Sequence, residues 1–150
     1  MKYTIETIID LPLQDVINKL DSIENLRHWQ RGLEKVEHIS GTPGKVGAKM
    51  KLSYKFGKRE MDLVETIIKR EFPHEFHATY DTKGIHNIQK NFFEETPEGQ
   101  TKWISKSEFI PSSFMLRVMA FLMPGAFKKQ SRKYLEDFKN FAEKDISVKT

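Results

Sequence analysis

The stretch KMKLSYKF, residues 49–56, alternates strictly between apolar and polar side chains. Met50, Leu52, Tyr54 and Phe56 share one parity, while Lys49, Lys51, Ser53 and Lys55 share the other. Successive side chains of a strand point to opposite faces, so this pattern predicts a strand with one apolar face and one wet, basic face. Sheets built from such strands are antiparallel and covered on one side only. Some other part of the chain must cover the apolar side.

The period of two continues on both sides of this stretch. LEKVEHIS (33–40) precedes it across GTPGKVG (41–47), a loop dense in glycine and proline. FGKRE turns tightly at Gly57 into MDLVETIIKR (61–70), which Pro73 ends. HEFHATY (74–80), HNIQKNFFEE (86–95) and TKWISKSEF (101–109) supply three more strands, joined by the turns DTKG and TPEGQ. KYTIETIID gives a first strand over Lys2–Ile9. The prediction is about seven strands in an antiparallel meander. Two short helices separate the first strand from the rest. One opens at DLP, with Pro12 in its first turn and Val16, Ile17 and Leu20 at helical spacing. The other is SIENLRHWQ, with Ser22 as N-cap and Ile23, Leu26 and Trp29 three apart.

The cover is at the C-terminal end. After Pro111, Ser112 or Ser113 caps a long helix that runs to about Lys144, kinked or broken at Pro124-Gly125. Beyond the kink, Phe127, Tyr134, Leu135, Phe138, Phe141 and Ala142 form a stripe opposite Lys128, Lys129, Arg132, Lys133 and Lys139, and that half packs on the sheet. From Phe114 to Met123 only Arg117 is polar, so the first half needs neighbours on more than one side. This ten-residue segment, nine of its residues apolar, falls short of the roughly 20 that span a bilayer.

Composition bounds the function classes. A chain of 150 residues suits one domain, 1–150, with a real core and no linker or repeat. The net charge of +4 comes with acids interleaved almost everywhere, which does not suit a nucleic-acid binder. The absence of cysteine excludes disulfides, thiol nucleophiles and thiolate-bound metals. Glu6 and Asp10 interrupt the N-terminus before any signal-like apolar run, so a cytoplasmic protein is expected.

YTIETIIDLPLQDV (3–16), NLRHWQRGLEKVEHISGTPGKVGAKMKL (25–52) and GQTKWISKSEF (99–109) carry a resemblance that covers essentially the whole chain. The chain resembles the START-like, or SRPBCC, superfamily, which includes pollen-allergen proteins, lipid-transfer domains and polyketide cyclases. Within it the chain looks most like the bacterial polyketide cyclase/dehydrase-type branch. The resemblance implies an α+β helix-grip fold, in which a curved antiparallel sheet of about seven strands wraps a long kinked C-terminal helix. It also implies a ligand cavity, because a helix crossing a curved sheet cannot fill it.

Strand parity points Tyr54, Phe56, Met61, Leu63, Phe76, Tyr80 and Trp103 toward that cavity, and Ser105 and Ser107 share the parity of Trp103. Met115, Met119 and Met123, four apart on one helical face, are read as its adaptable roof or as plain core packing. A one-residue change in the DTKG turn exchanges Asn87, Gln89 and Asn91 for His86, Ile88 and Lys90. The amide set is favoured because Lys90 prefers water. Arg117 either snorkels to solvent or anchors a ligand carboxylate at the entrance.

Other chemistry is thin. His74 and His77, three apart on a strand, face opposite ways, and His28, His38 and His86 stand on separate elements, so no metal is expected. Glu94, Glu95 and Glu98 read as a solvated turn. Asp62 and Glu65 sit on opposite faces of their strand, with at least one outward. No serine has a nucleophile-elbow context. The first reading is a cofactor-free binding module for a small hydrophobic or amphipathic molecule such as a lipid or polyketide. A cyclase/dehydratase-like enzyme is the alternative. A third reading uses the apolar 114–123 segment against another chain, including a homodimer partner, or against a membrane surface.

Overall fold

The computed structural model describes residues 1–149; Thr150, the last residue of the expected domain, lies outside the described residues. Seven strands form one antiparallel sheet: β1 (Lys2–Ile9), β2 (Leu33–Ser40), β3 (Lys49–Phe56), β4 (Arg59–Glu71), β5 (Glu75–Thr82), β6 (Ile85–Glu95) and β7 (Thr101–Pro111). Their order is β1-β7-β6-β5-β4-β3-β2. The chain therefore meanders from β2 to β7, and β1 pairs back on β7 with Lys2 opposite Glu108 and Ile9 opposite Thr101. Helices α1 (Leu13–Leu20) and α2 (Leu26–Trp29) carry the chain from one edge strand to the other. Helices α3 (Phe114–Leu122) and α4 (Pro124–Lys144) complete an α+β helix-grip fold.

Irregularities bend the sheet around α4. Register shifts interrupt the β2–β3 pairing near Leu33 and Ser40, and the β4–β5 pairing between Ile67 and Lys69. An extra residue on one strand kinks it and tightens its twist. It also reverses parity: Met61, Leu63, Glu65 and Ile67 face the helix, and beyond the bulge Arg70 does.

The stripe on α4 packs as its spacing predicts. Leu135, Phe138, Phe141 and Ala142 are buried with Ile5, Ile9, Val16, Ile17, Trp29, Phe93 and Trp103. Phe138 has no exposed surface, and its ring meets Trp103 at 5.3 Å and 89° and Trp29 at 5.1 Å and 74°. Such edge-to-face pairs add to the energy of area burial. Polar contacts hold α4 along its length. Arg31 donates to both oxygens of buried Asp137, at 2.7 and 3.1 Å. Nearer the start of α4, the Tyr3 hydroxyl donates to the Phe127 carbonyl at 3.1 Å and meets Ser131.

Two helix starts differ from expectation, and the C-terminal break falls at the expected proline. Helix α1 starts at Leu13, with Pro12 in extended conformation as its N-cap. Ser22 accepts from the Asn25 N–H at 3.3 Å, capping the turn ahead of α2 rather than the helix itself. The expected long C-terminal helix is two helices, because Met123 leaves helical geometry (φ −128°, ψ 61°). A residue that precedes proline is pushed away from helical angles, so Met123 is the natural place for the break. Ser113 is the cap of α3 and accepts from Leu116 N–H. None of α3 is buried, contrary to the expectation that it needs cover on several sides.

Candidate ligand cavity

A cavity of about 1000 Å³ separates the inner face of the sheet from α4. The helix lends Phe127, Gln130, Ser131, Tyr134 and Leu135 to its wall. At one end lie Ser22, Glu24, Gly44 and Arg70, and here Arg70 donates to both oxygens of Asp21 at 2.9 and 2.5 Å. At the other end lie Phe56, Met61, Thr82 and Ile85. The remaining wall is mainly apolar, with Leu26, Leu52, Leu63 and Ile67 among its members.

Tyr54, Phe56, Met61, Leu63, Phe76, Tyr80, Asn87, Trp103 and Ser105 all line this space. The orientation of β6 is the amide one, with Asn87, Gln89 and Asn91 inward. Phe56 and Met61 are exposed at the rim. Ser107 shares the inner face but lies outside the wall, buried and accepting a 3.1 Å hydrogen bond from the Asn87 side chain. Met115, Met119 and Met123 do not form the roof: they are exposed and absent from the wall. The break at Met123 separates α3 from the register of α4, so a face counted along one continuous helix does not apply to them. Arg117 is exposed on α3, and its Nε donates to the Pro111 carbonyl at 3.4 Å rather than standing at the cavity wall.

One residue of consequence, Glu65, is read from the sequence only as lying on the face opposite Asp62, with no role in the cavity. Glu65 is buried and lines the cavity. It stands directly opposite Tyr80 on β5, and Tyr80 stands opposite Asn87 on β6. A row of hydrogen-bonding groups thus crosses three adjacent strands in an otherwise greasy wall. Gln89 donates to the Asn87 side chain at 2.9 Å and Trp103 Nε1 to the Asn91 side chain at 2.9 Å, extending the row along β6 and β7. On β3 the Tyr54 hydroxyl donates to Gln30 at 3.1 Å.

Electrostatics set these groups apart from ordinary surface residues. Burial pushes the Glu65 carboxyl above its usual range, and the neighbouring Tyr80 hydroxyl opposes this only in part. Tyr80 keeps some surface open to the hollow but lies deep in the protein. Burial first, then the adjacent Glu65 charge, hold its hydroxyl well above the usual range. Burial does the same to Tyr54. No cation pairs with Glu65 among the described residues. Desolvation without a counter-charge favours the neutral acid, which can donate as well as accept. Of the histidines only His38 reaches the wall. No group of three or more metal-ligating side chains occurs among the described residues.

No family model matches the chain. No curated protein matches it either. Solved structures do. An uncharacterised protein from Rhizobium leguminosarum superposes with a TM-score of 0.77 at 14% identity, over 95% of this chain and 93% of that one. A conserved protein from Geobacillus kaustophilus gives 0.76 at 10% identity, over 95% of each chain. Ara h 8.0201 gives 0.74 at 12% identity, over 95% of this chain and 97% of that one. Likeness at such identities reaches the fold and stops short of any branch or activity: the chain has the helix-grip architecture over nearly its whole length.

Proposed function

We propose that this protein binds one small hydrophobic or amphipathic molecule in the cavity under α4, as a carrier or receptor for it. The observation that supports this reading is the pairing of an apolar hollow of about 1000 Å³ with the polar row Glu65–Tyr80–Asn87 on its floor. Apolar walls supply affinity: a ligand burying roughly 300 Å² of apolar surface gains about 7 kcal/mol before the cost of association. The polar row supplies orientation, because a buried donor or acceptor rejects any ligand that leaves it unpaired. Burial raises the Glu65 carboxyl toward its neutral form, and in that form it suits a ligand hydroxyl or carbonyl, while in either form it disfavours a carboxylate at the same point. Lipid-like and polyketide-like molecules both have this chemistry.

A second reading is an enzyme of the cyclase/dehydratase kind. Glu65 and Tyr80 favour it, since a buried carboxyl whose proton burial helps retain, beside a tyrosine, is placed to donate to a carbonyl or departing hydroxyl.

Native mass spectrometry of freshly purified protein tests the first reading, together with titration by the uncharged fluorophore Nile red. The expected results are a co-purifying small-molecule mass or saturable uptake of the dye, abolished by Leu63→Trp, which fills the hollow from β4. Absence of both a ligand mass and dye uptake in the unmodified protein sinks the carrier reading. Turnover of an aromatic polyketide-like substrate that Glu65→Gln abolishes would establish the enzyme.

A further inference from the structure

Helix α3 has its apolar side chains on the outside. Phe114, Met115, Phe121 and Leu122 are 83%, 74%, 84% and 69% exposed. At 100° per residue they form, with Val118 and Met119, one continuous arc facing away from the protein. The opposite side, Leu116 and Ala120, is the half-buried one. Leu116 seats on the β5–β6 turn: a Cβ added at Gly84 (φ +81°) would lie 2.7 Å from its Cδ1. A helix that buried its apolar side in the usual way would show the reverse arrangement. Exposed apolar surface on this scale marks a place where something else docks.

The surrounding charge identifies the occupant. Arg117 on α3 and Lys128, Lys129, Arg132 and Lys133 on the first turns of α4 are all exposed. No aspartate or glutamate occurs between Glu108 and Glu136. The four α4 cations lie within roughly 15 Å of Met123 along the helix axis. Lys83, beside the glycine that seats Leu116, is exposed as well. Pairing two copies through α3 would bring two such clusters together, and like charges across an interface are strongly disfavoured. An apolar arc rimmed by cations matches instead a layer that is greasy inside and anionic at its surface.

We propose that α3 and the first turns of α4 dock this protein on an anionic phospholipid bilayer. The apolar arc enters the boundary between headgroups and acyl chains, and the cations lie among the headgroups. The helix lies on the surface and does not span it: nine residues rise only about 14 Å, against a hydrocarbon core of about 30 Å. The turn that seats α3 lies between Thr82 and Ile85, which both line one end of the cavity with Phe56 and Met61. Docking therefore brings that end of the cavity toward the membrane, where an amphipathic ligand is available. The docking itself stands on α3 and its cations and does not require the cavity to be loaded.

Flotation of the full chain with lipid vesicles tests the proposal. Binding is expected to phosphatidylcholine vesicles containing about 30% phosphatidylglycerol, and to be weaker by at least about tenfold with phosphatidylcholine alone, because each basic residue near an anionic surface contributes. High salt should weaken it. Phe114→Ser combined with Phe121→Ser should abolish flotation while leaving Nile red uptake unchanged. Lys128→Glu with Lys129→Glu should remove the preference for anionic vesicles. Failure of the unmodified protein to float with anionic vesicles overturns the proposal, as does unchanged flotation of the phenylalanine variant. A concentration-dependent dimer that the same variant dissociates, without flotation, overturns it in favour of a second copy. Flotation with neither a co-purifying ligand mass nor dye uptake keeps the docking and removes the carrier reading instead.

Discussion

The space under α4 is filled in two opposite ways. Towards the C-terminal end of the helix, Phe138 is enclosed by Trp29, Trp103 and Phe93, and α1 adds Val16 and Ile17 as a further layer. Towards its N-terminal end, α4 offers Phe127, Gln130, Ser131 and Tyr134 to a wall that carries Glu65, Tyr80 and Asn87, and about 1000 Å³ stays open. One sheet and one helix form both regions. They differ in who comes from the third side. At the packed end α1 and α2 press their buried faces against α4, whereas at the hollow end they lend only Leu20, Leu26 and Trp29 to the wall. A core closes where three elements each bring large side chains to one point; where the third lends only its edge and the floor is polar, a pocket remains.

Removing bulk from the packed end should have the largest effect. Phe138→Ala removes a fully buried aromatic ring and should cost about 3–5 kcal/mol, read as a shift in urea midpoint. The matched change in the hollow, Leu63→Ala, should cost about 1–2 kcal/mol, below the range for a packed leucine, because that side chain already faces open space. Similar losses at the two sites would mean that the hollow is packed in solution, and the contrast would fail.

Glu65→Gln sharpens the comparison through pH. The folded protein holds this carboxyl above its ordinary value of 4.5, so between 4.5 and the raised value the native state binds more protons than the unfolded chain. Stability then falls as pH rises through that window and levels off above it. Below pH 4.5 both states are protonated and the group makes no difference. The glutamine variant should match the parent at the acid end and lack this component of the decline above it, as measured by thermal melts across pH. A variant that parallels the parent at every pH would place Glu65 in water.

Much of the hollow region was legible in sequence because strands keep count. The parity of KMKLSYKF placed Tyr54, and the parity of MDLVETIIKR placed Met61 and Leu63. That same parity reaches Glu65 two residues further on, but a carboxylate in a strand is ordinarily read as solvent-facing, so the signal was present and discounted. Arg70 could not be read this way, because the bulge before Lys69 reverses the count and bulges leave little trace in sequence. For the final helices the composition was clear, and the direction was not. The residues of α3 look like core by every apolar criterion. Only the break at Met123 decides that they leave the sheet, and a local break does not say which way the preceding helix points.

The smallest stability effect belongs to α3. Phe121 is among the largest apolar side chains in the protein, and in a core its loss would resemble that of Phe138. Here it is 84% exposed, with no packed neighbours to lose and no cavity to leave behind. Phe121→Ser should therefore change stability by no more than about 0.5 kcal/mol, as surface substitutions do. The same change should reduce flotation with anionic vesicles. Phenylalanine at 121 and at 138 would then differ in kind: one holds the fold together, and the other meets a surface outside it. A loss of several kcal/mol from Phe121→Ser would show that α3 folds back onto the protein in solution, and the outward apolar arc would no longer exist to dock.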